Sequence, residues 1–103
     1  MSDKDRRLAL DAKFRAIEGV HVYYQPPASV RMTYPAIRYE RNRIDIVSAD
    51  NISYLRNTGY MVTVITKDPD SPIVEEVSKF PKTIFNRHYT ADNLNHDVFI
   101  IYD

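Results

Sequence analysis

The chain has 103 residues, 44% hydrophobic and 27% charged, with 14 Lys/Arg against 14 Asp/Glu and no cysteine. That length suits one domain with one core, and the composition excludes disordered, collagenous and fibrous chains. The lack of cysteine excludes disulfides and thiolate metal sites, and a net charge of zero speaks against a dedicated nucleic-acid binder.

Residues 3–18 predict the first helix. Leu10, Phe14 and Ile17 fall on one apolar stripe at i, i+4, i+7. Asp3 and Asp5 suit the positive end of its dipole, and Gly19 is a natural stop. The β-branched and aromatic run VHVYY at 20–24 predicts a strand, broken by Gln25-Pro26-Pro27. Residues 35–41 alternate, with Ile37 and Tyr39 on one side and Arg38 and Glu40 on the other, as in a half-buried strand. Residues 43–58 mix polar and turn-forming residues with Ile52, Tyr54 and Leu55. The expectation there is a projecting arm in the form of a loose hairpin, since segments of this length without their own structure are usually functional.

The run YMVTVIT at 60–66 is apolar on both faces and predicts a central strand. Asp68-Pro69-Asp70-Ser71-Pro72 ends it, with Ser71 as N-cap and Pro72 at the first position of a second helix. That helix carries Ile73, Val77 and Phe80 and closes at Pro81. Residues 82–89 and 97–102 predict a last strand pair, which pins the C-terminus in the sheet. The order implies an α+β domain, residues 1–103, with two helices packed on a mostly antiparallel mixed sheet of four to five strands. Asp68, Asp70 and Ser71 in one turn, and Asp92 and Asn93 in another, are expected to satisfy nearby backbone N–H groups.

Catalytic chemistry is hard to find. His88 and His96 sit eight residues apart, wider than the usual metal-ligand spacing, and read as surface or turn histidines. Asp45, Asp68, Asp70, Glu75 and Glu76 with Lys67 and Lys79 are the residues of an imaginable Mg²⁺ nuclease cluster, but turn chemistry accounts for the two flanking Pro69. With only Gly19 and Gly59, no glycine-rich phosphate loop is possible. No catalytic residue, metal ligand or cofactor is assigned, and the expectation is a protein that is not an enzyme.

Surface to share is plentiful. Eight tyrosines exceed what one small core takes, and tyrosine is enriched at interfaces. Residues 1–43 carry nine Lys/Arg and five Asp/Glu, while residues 44–103 carry five and nine. Chance accounts for such a split; so does head-to-tail self-association, in which unlike surfaces of identical subunits meet. No apolar run approaches the ~20 residues of a membrane span, and the charged start MSDKDRRLALDAKF is not expected to act as a secretory signal.

Several segments together carry a resemblance: YPAIRYER at 34–41, GYMVTVI at 59–65, DPDSPI at 68–73 and FNRHYTADNLNHDVFIIY at 85–102. Over residues 34–102 the chain resembles the small neck proteins of tailed bacteriophages, the tail-terminator or tail-completion proteins. The resemblance implies a virion protein of the head–tail junction, made in the bacterial host cytoplasm. It implies a homo-hexameric ring that caps the tail tube protein, ends tail polymerisation and faces the head-completion (connector) proteins, with genomic DNA passing through the hole. A head-completion or stopper protein is the alternative within the neck. A small metal-dependent nuclease and a monomeric regulatory module are the alternatives outside it. In a ring, Arg43, Ile44, Asp45, Ile52, Tyr54, Leu55, Arg56 and Tyr60 are the residues expected to reach a neighbouring subunit.

Overall fold

Alternation along the strands decides how this chain closes its core. Ile37 and Tyr39, then Tyr60, Val62 and Val64, then Phe99 and Ile101 are spaced two apart, so each set falls on one side of a sheet. Leu10 and Phe14 from the first helix and Ile73 and Val77 from the second pack onto that same side.

The computed structural model describes residues 3–49 and 53–102, and the side chains of residues 4–42 and 58–102. Its elements are α1 (Asp3–Arg15), β1 (His21–Tyr24), β2 (Ala36–Ala49), β3 (Ser53–Thr66), α2 (Pro72–Ser78), β4 (Thr83–Ala91) and β5 (Leu94–Tyr102). They form one five-stranded sheet in the order β1-β2-β3-β5-β4. β1 runs parallel to β2 and every other pair is antiparallel. The α+β class, with two helices on a mixed, mostly antiparallel sheet, is therefore as the sequence implies.

Parallel pairing of β1 with the next strand requires the chain to travel back along the sheet. A four-residue β1 spans only ~13 Å, so residues 25–35 return without a helix. Gln25 starts the return in the left-handed region, at φ 43.

α1 ends three residues earlier than its stripe suggests. Beyond Arg15 the Ile17 N–H bonds to the Phe14 carbonyl, and Gly19 at φ 80 turns the chain into β1. Such a left-handed stop is what glycine permits at low cost. Phe14 is fully buried, stacks on Phe80 with centroids 5.4 Å apart, and tilts against Tyr39 at 5.1 Å. α2 begins where Ser71 accepts a hydrogen bond from the Ile73 N–H at 3.3 Å, with Pro72 at its first position.

The largest difference from the sequence reading lies at 43–58. The projecting arm is there, but it is regular in place of loose, a direct continuation of two long strands, β2 and β3. Their pairing runs from Ala36 opposite Ile65 to Ala49 opposite Ser53, with one register shift between Arg41 and Arg43. The final strand pair is also longer than expected, because Asp92 and Asn93 (φ 53 and 64) make a two-residue turn with Ala91 facing Leu94. Both residues lying at positive φ is the type I′ geometry that suits a twisted hairpin.

Candidate functional site

The sheet is not equally wide along its length. β1 accompanies β2 only from Ala36 to Tyr39, and β5 accompanies β3 only from Gly59 to Thr66. Past those rungs β2 and β3 pair only with each other, from Ile44 opposite Thr58 to Ala49 opposite Ser53. At ~3.3–3.4 Å per residue this two-stranded ribbon reaches about 20 Å beyond the sheet. The molecule measures 50 × 24 × 24 Å, so the ribbon accounts for most of the excess in its long dimension.

The ribbon carries most of the expected contact residues. Arg43, Ile44 and Asp45 lie on β2 opposite Gly59, Thr58 and Asn57. Tyr54, Leu55 and Arg56 lie on β3 opposite Ser48, Val47 and Ile46. Ile52 lies outside the described residues, as do the side chains of the six others just named. Tyr60 is placed differently: its ring is 2% exposed, edge-on to Tyr39 at 6.1 Å, and it belongs to the core. The Tyr39 ring on β2 and Ile101 on β5 draw it inward, so it supports the root of the ribbon and offers no contact area. Thr58, also at the root, is 2% exposed, and its hydroxyl has no hydrogen-bond partner among the described residues.

Beside the root, Lys4 and Arg7 of α1, Arg41 of β2, and the rings of Tyr24 and Tyr60 line a recess of about 160 Å³. No carboxylate joins that lining among the described residues. Arg7 is held there from two sides. Its guanidinium lies 4.2 Å above the Tyr24 ring centroid, a cation–π arrangement, and its Nη1 donates to the Tyr39 hydroxyl at 3.4 Å. Tyr39 in turn donates to Asp11, whose other oxygen accepts from Arg15 Nε. Arg15 Nη2 reaches the Val22 carbonyl at 3.4 Å. Asp11 is only 9% exposed, and this chain of partners is what lets a carboxylate sit between helix and sheet. Burial first, and the bond to Asp11 second, hold the Tyr39 phenol well above its ordinary pKa of 10.0. In the sequence Asp11 and Arg15 form a legible i, i+4 pair; nothing there points to Tyr39 as their third member.

The expected turn residues act as turns. The Asp68 carboxylate accepts from the Asp70 N–H at 2.9 Å, and Thr66 Oγ1 donates to the Asp68 carbonyl at 3.0 Å. Glu75 pairs with Lys79 at 3.4 Å across one helical turn, away from that turn. His88 and His96 occupy adjacent rungs of the β4–β5 hairpin and so face opposite sides of the sheet. His88 bonds Asp97 at 2.9 Å, while His96 stacks on Tyr89 at 4.6 Å. Among the described residues no three His, Cys, Asp or Glu side chains stand in metal-binding geometry. No helix of the described residues is long and apolar enough to cross a membrane.

β4 is an edge strand with Ile84 59%, Phe85 55% and Tyr89 39% exposed. Its pairing shifts register between Phe85 and Arg87. Bulges of this kind bend an edge away from unwanted pairing.

The fold and site define a small α+β domain with a projecting β-ribbon and a basic recess at the ribbon's root. No protein-family model matches the chain, and no curated protein matches it in sequence.

Proposed function

We propose that this protein is a structural subunit of a tailed-phage neck, a tail terminator that acts as a homo-hexameric ring on the tail tube. The observation that carries the reading is the β2–β3 ribbon, which leaves its own sheet and reaches about 20 Å outward. A closed ring needs a heterologous contact in which one surface of a subunit meets a different surface of the next. A ribbon standing clear of its own core is suited to supply one side of that contact. The resemblance of residues 34–102 to neck proteins gives the ring its place, between the tail tube and the head-completion proteins, with DNA passing through the hole. No cofactor or catalytic step is invoked.

Removal of the gene from the phage that encodes it tests this. Particles with overlong tails, or with tails unattached to heads, are expected by electron microscopy, and the purified protein is expected to cap isolated tail tubes. Binding to portal or adaptor rings in place of tubes would move the subunit one storey up, to the stopper position. Normal, attached tails in the deletion phage would refute a role in the neck.

A further inference from the structure

We propose that the two ends of the sheet are complementary docking surfaces for copies of this chain: the acidic turn between β3 and α2 of one subunit seats against the Lys4–Arg7–Arg41 recess of the next. The proposal rests on the self-assembly reading above and names the surfaces that would carry it.

The strand register places the charges. The recess lies at the ribbon end, on the rung where Arg41 faces Tyr60. Asp68 and Asp70 follow Thr66, at the other end of β3. Glu18 and Glu76 join them there, lining a groove with Pro72 at the start of α2, and Lys13 of that groove and Lys67 of the turn are the cations among them. Three cations therefore stand at one end, and at the other four carboxylates outnumber two lysines. Six residues of β3 separate the two ends by about 20 Å. That is at least twice the ~8–10 Å screening length at physiological salt, so the two clusters do not neutralise each other within a subunit.

Nor is either cluster fully neutralised locally, although Asp11 lies within Coulombic reach of Arg7. Among the described residues, Lys4 and Arg41 have no carboxylate partner. Asp70 and Glu18 have no cationic one, and Asp68 accepts only from its own turn. Cation–π stacking and the Tyr39 bond hold Arg7 at the recess, so its charge is pre-positioned. The obvious rival occupant of a basic recess is a polyanion such as DNA. Zero net charge and a net acidic far end favour a second copy instead. A subunit seated this way lies alongside the ribbon, which rises from the same end.

Complementary variants test the pairing. Lys4→Ala with Arg41→Ala disables the basic end, and Glu18→Gln with Asp70→Asn disables the acidic end. All four side chains lie outside the core, and circular dichroism checks that both variants fold. In sedimentation velocity at about 0.05 M salt the wild-type chain is expected to self-associate, with Kd weakened at least ~10-fold at about 0.5 M. Each variant alone is expected to stay monomeric. An equimolar mixture is expected to give heterodimers and nothing larger, since only one competent pair of ends remains. A mixture that stays monomeric, or variants that associate as the wild type does, overturns the proposal. So does binding of fluorescent duplex DNA that the basic-end variant alone loses, without heterodimers in the mixture. Both variants still capping tail tubes as rings would refute these surfaces and leave the ring reading intact. Heterodimers from a protein that never caps tubes would do the reverse.

Discussion

Replacing Tyr39 by Phe removes one oxygen from the middle of the fold and leaves the ring contacts with Phe14 and Tyr24 in place. The loss falls on Asp11, which is 9% exposed and accepts from both Tyr39 and Arg15. A hydrogen bond to a charged, largely buried group contributes about 1.5–3 kcal/mol. We expect Y39F to destabilise the domain by about 2 kcal/mol, lowering Tm by roughly 10 °C for a domain of this size. The effect also depends on pH in a fixed direction. Because folding raises the phenol pKa above 10.0, the folded state holds a proton that the unfolded state releases first. The contribution is fully present below pH ~10 and is lost as pH rises further, at up to ~1.4 kcal/mol per pH unit. Urea unfolding followed by far-UV circular dichroism, at neutral pH and between about pH 10 and 11, measures both quantities. Y39F should start lower and lose stability less steeply in alkali. A variant within ~0.3 kcal/mol of wild type at neutral pH, or one with an unchanged alkaline slope, would refute the account of the Asp11 cluster.

Thr58→Val replaces a buried hydroxyl that has no hydrogen-bond partner among the described residues with a methyl group of the same shape. It is expected to stabilise by about 1 kcal/mol, read as a higher urea midpoint. Asn93→Ala places an ordinary side chain at φ 64 and should cost about 1 kcal/mol, whereas Asn93→Gly should be neutral or slightly stabilising by the same measurement. Phe14→Ala empties a site that is 0% exposed between Tyr39 and Phe80, and should cost about 3–5 kcal/mol in thermal or urea unfolding.

The parts of the fold legible in the sequence are those fixed by local chemistry. The i, i+4, i+7 stripe of α1, the Ser71-Pro72 start of α2 and the alternation in 35–41 each follow from a physical rule that acts over a few residues. The hairpin of β4 and β5 was legible only in part, because Asp92-Asn93 lacks the glycine that marks most type I′ turns. The ribbon was harder. Residues 43–58 have no clean alternation over their length, and polar and turn-forming residues obscure the strand signal. Tyr60 was misplaced for the opposite reason. Its neighbourhood in sequence suggests the arm, while its rung opposite Ile101 puts it over the core. The basic recess was not legible at all, because Lys4, Arg7 and Arg41 come together only through the packing of α1 on the sheet.

One property of the ribbon ties assembly to stability. A two-stranded antiparallel pair with no third strand and no helix behind it is marginal in water, since few side chains gain burial for the backbone order they require. Among the described residues, the rungs from Ile44–Thr58 to Ala49–Ser53 pair with no third strand. The Thr58 hydroxyl adds an unmet polar group at its root. The core itself closes at Tyr60, Phe99 and Ile101. In the proposed ring a neighbour would supply the surface that such a pair lacks. On the docking proposed above, the Lys4–Arg7–Arg41 recess at the same end would bring an approaching copy there with its acidic end first.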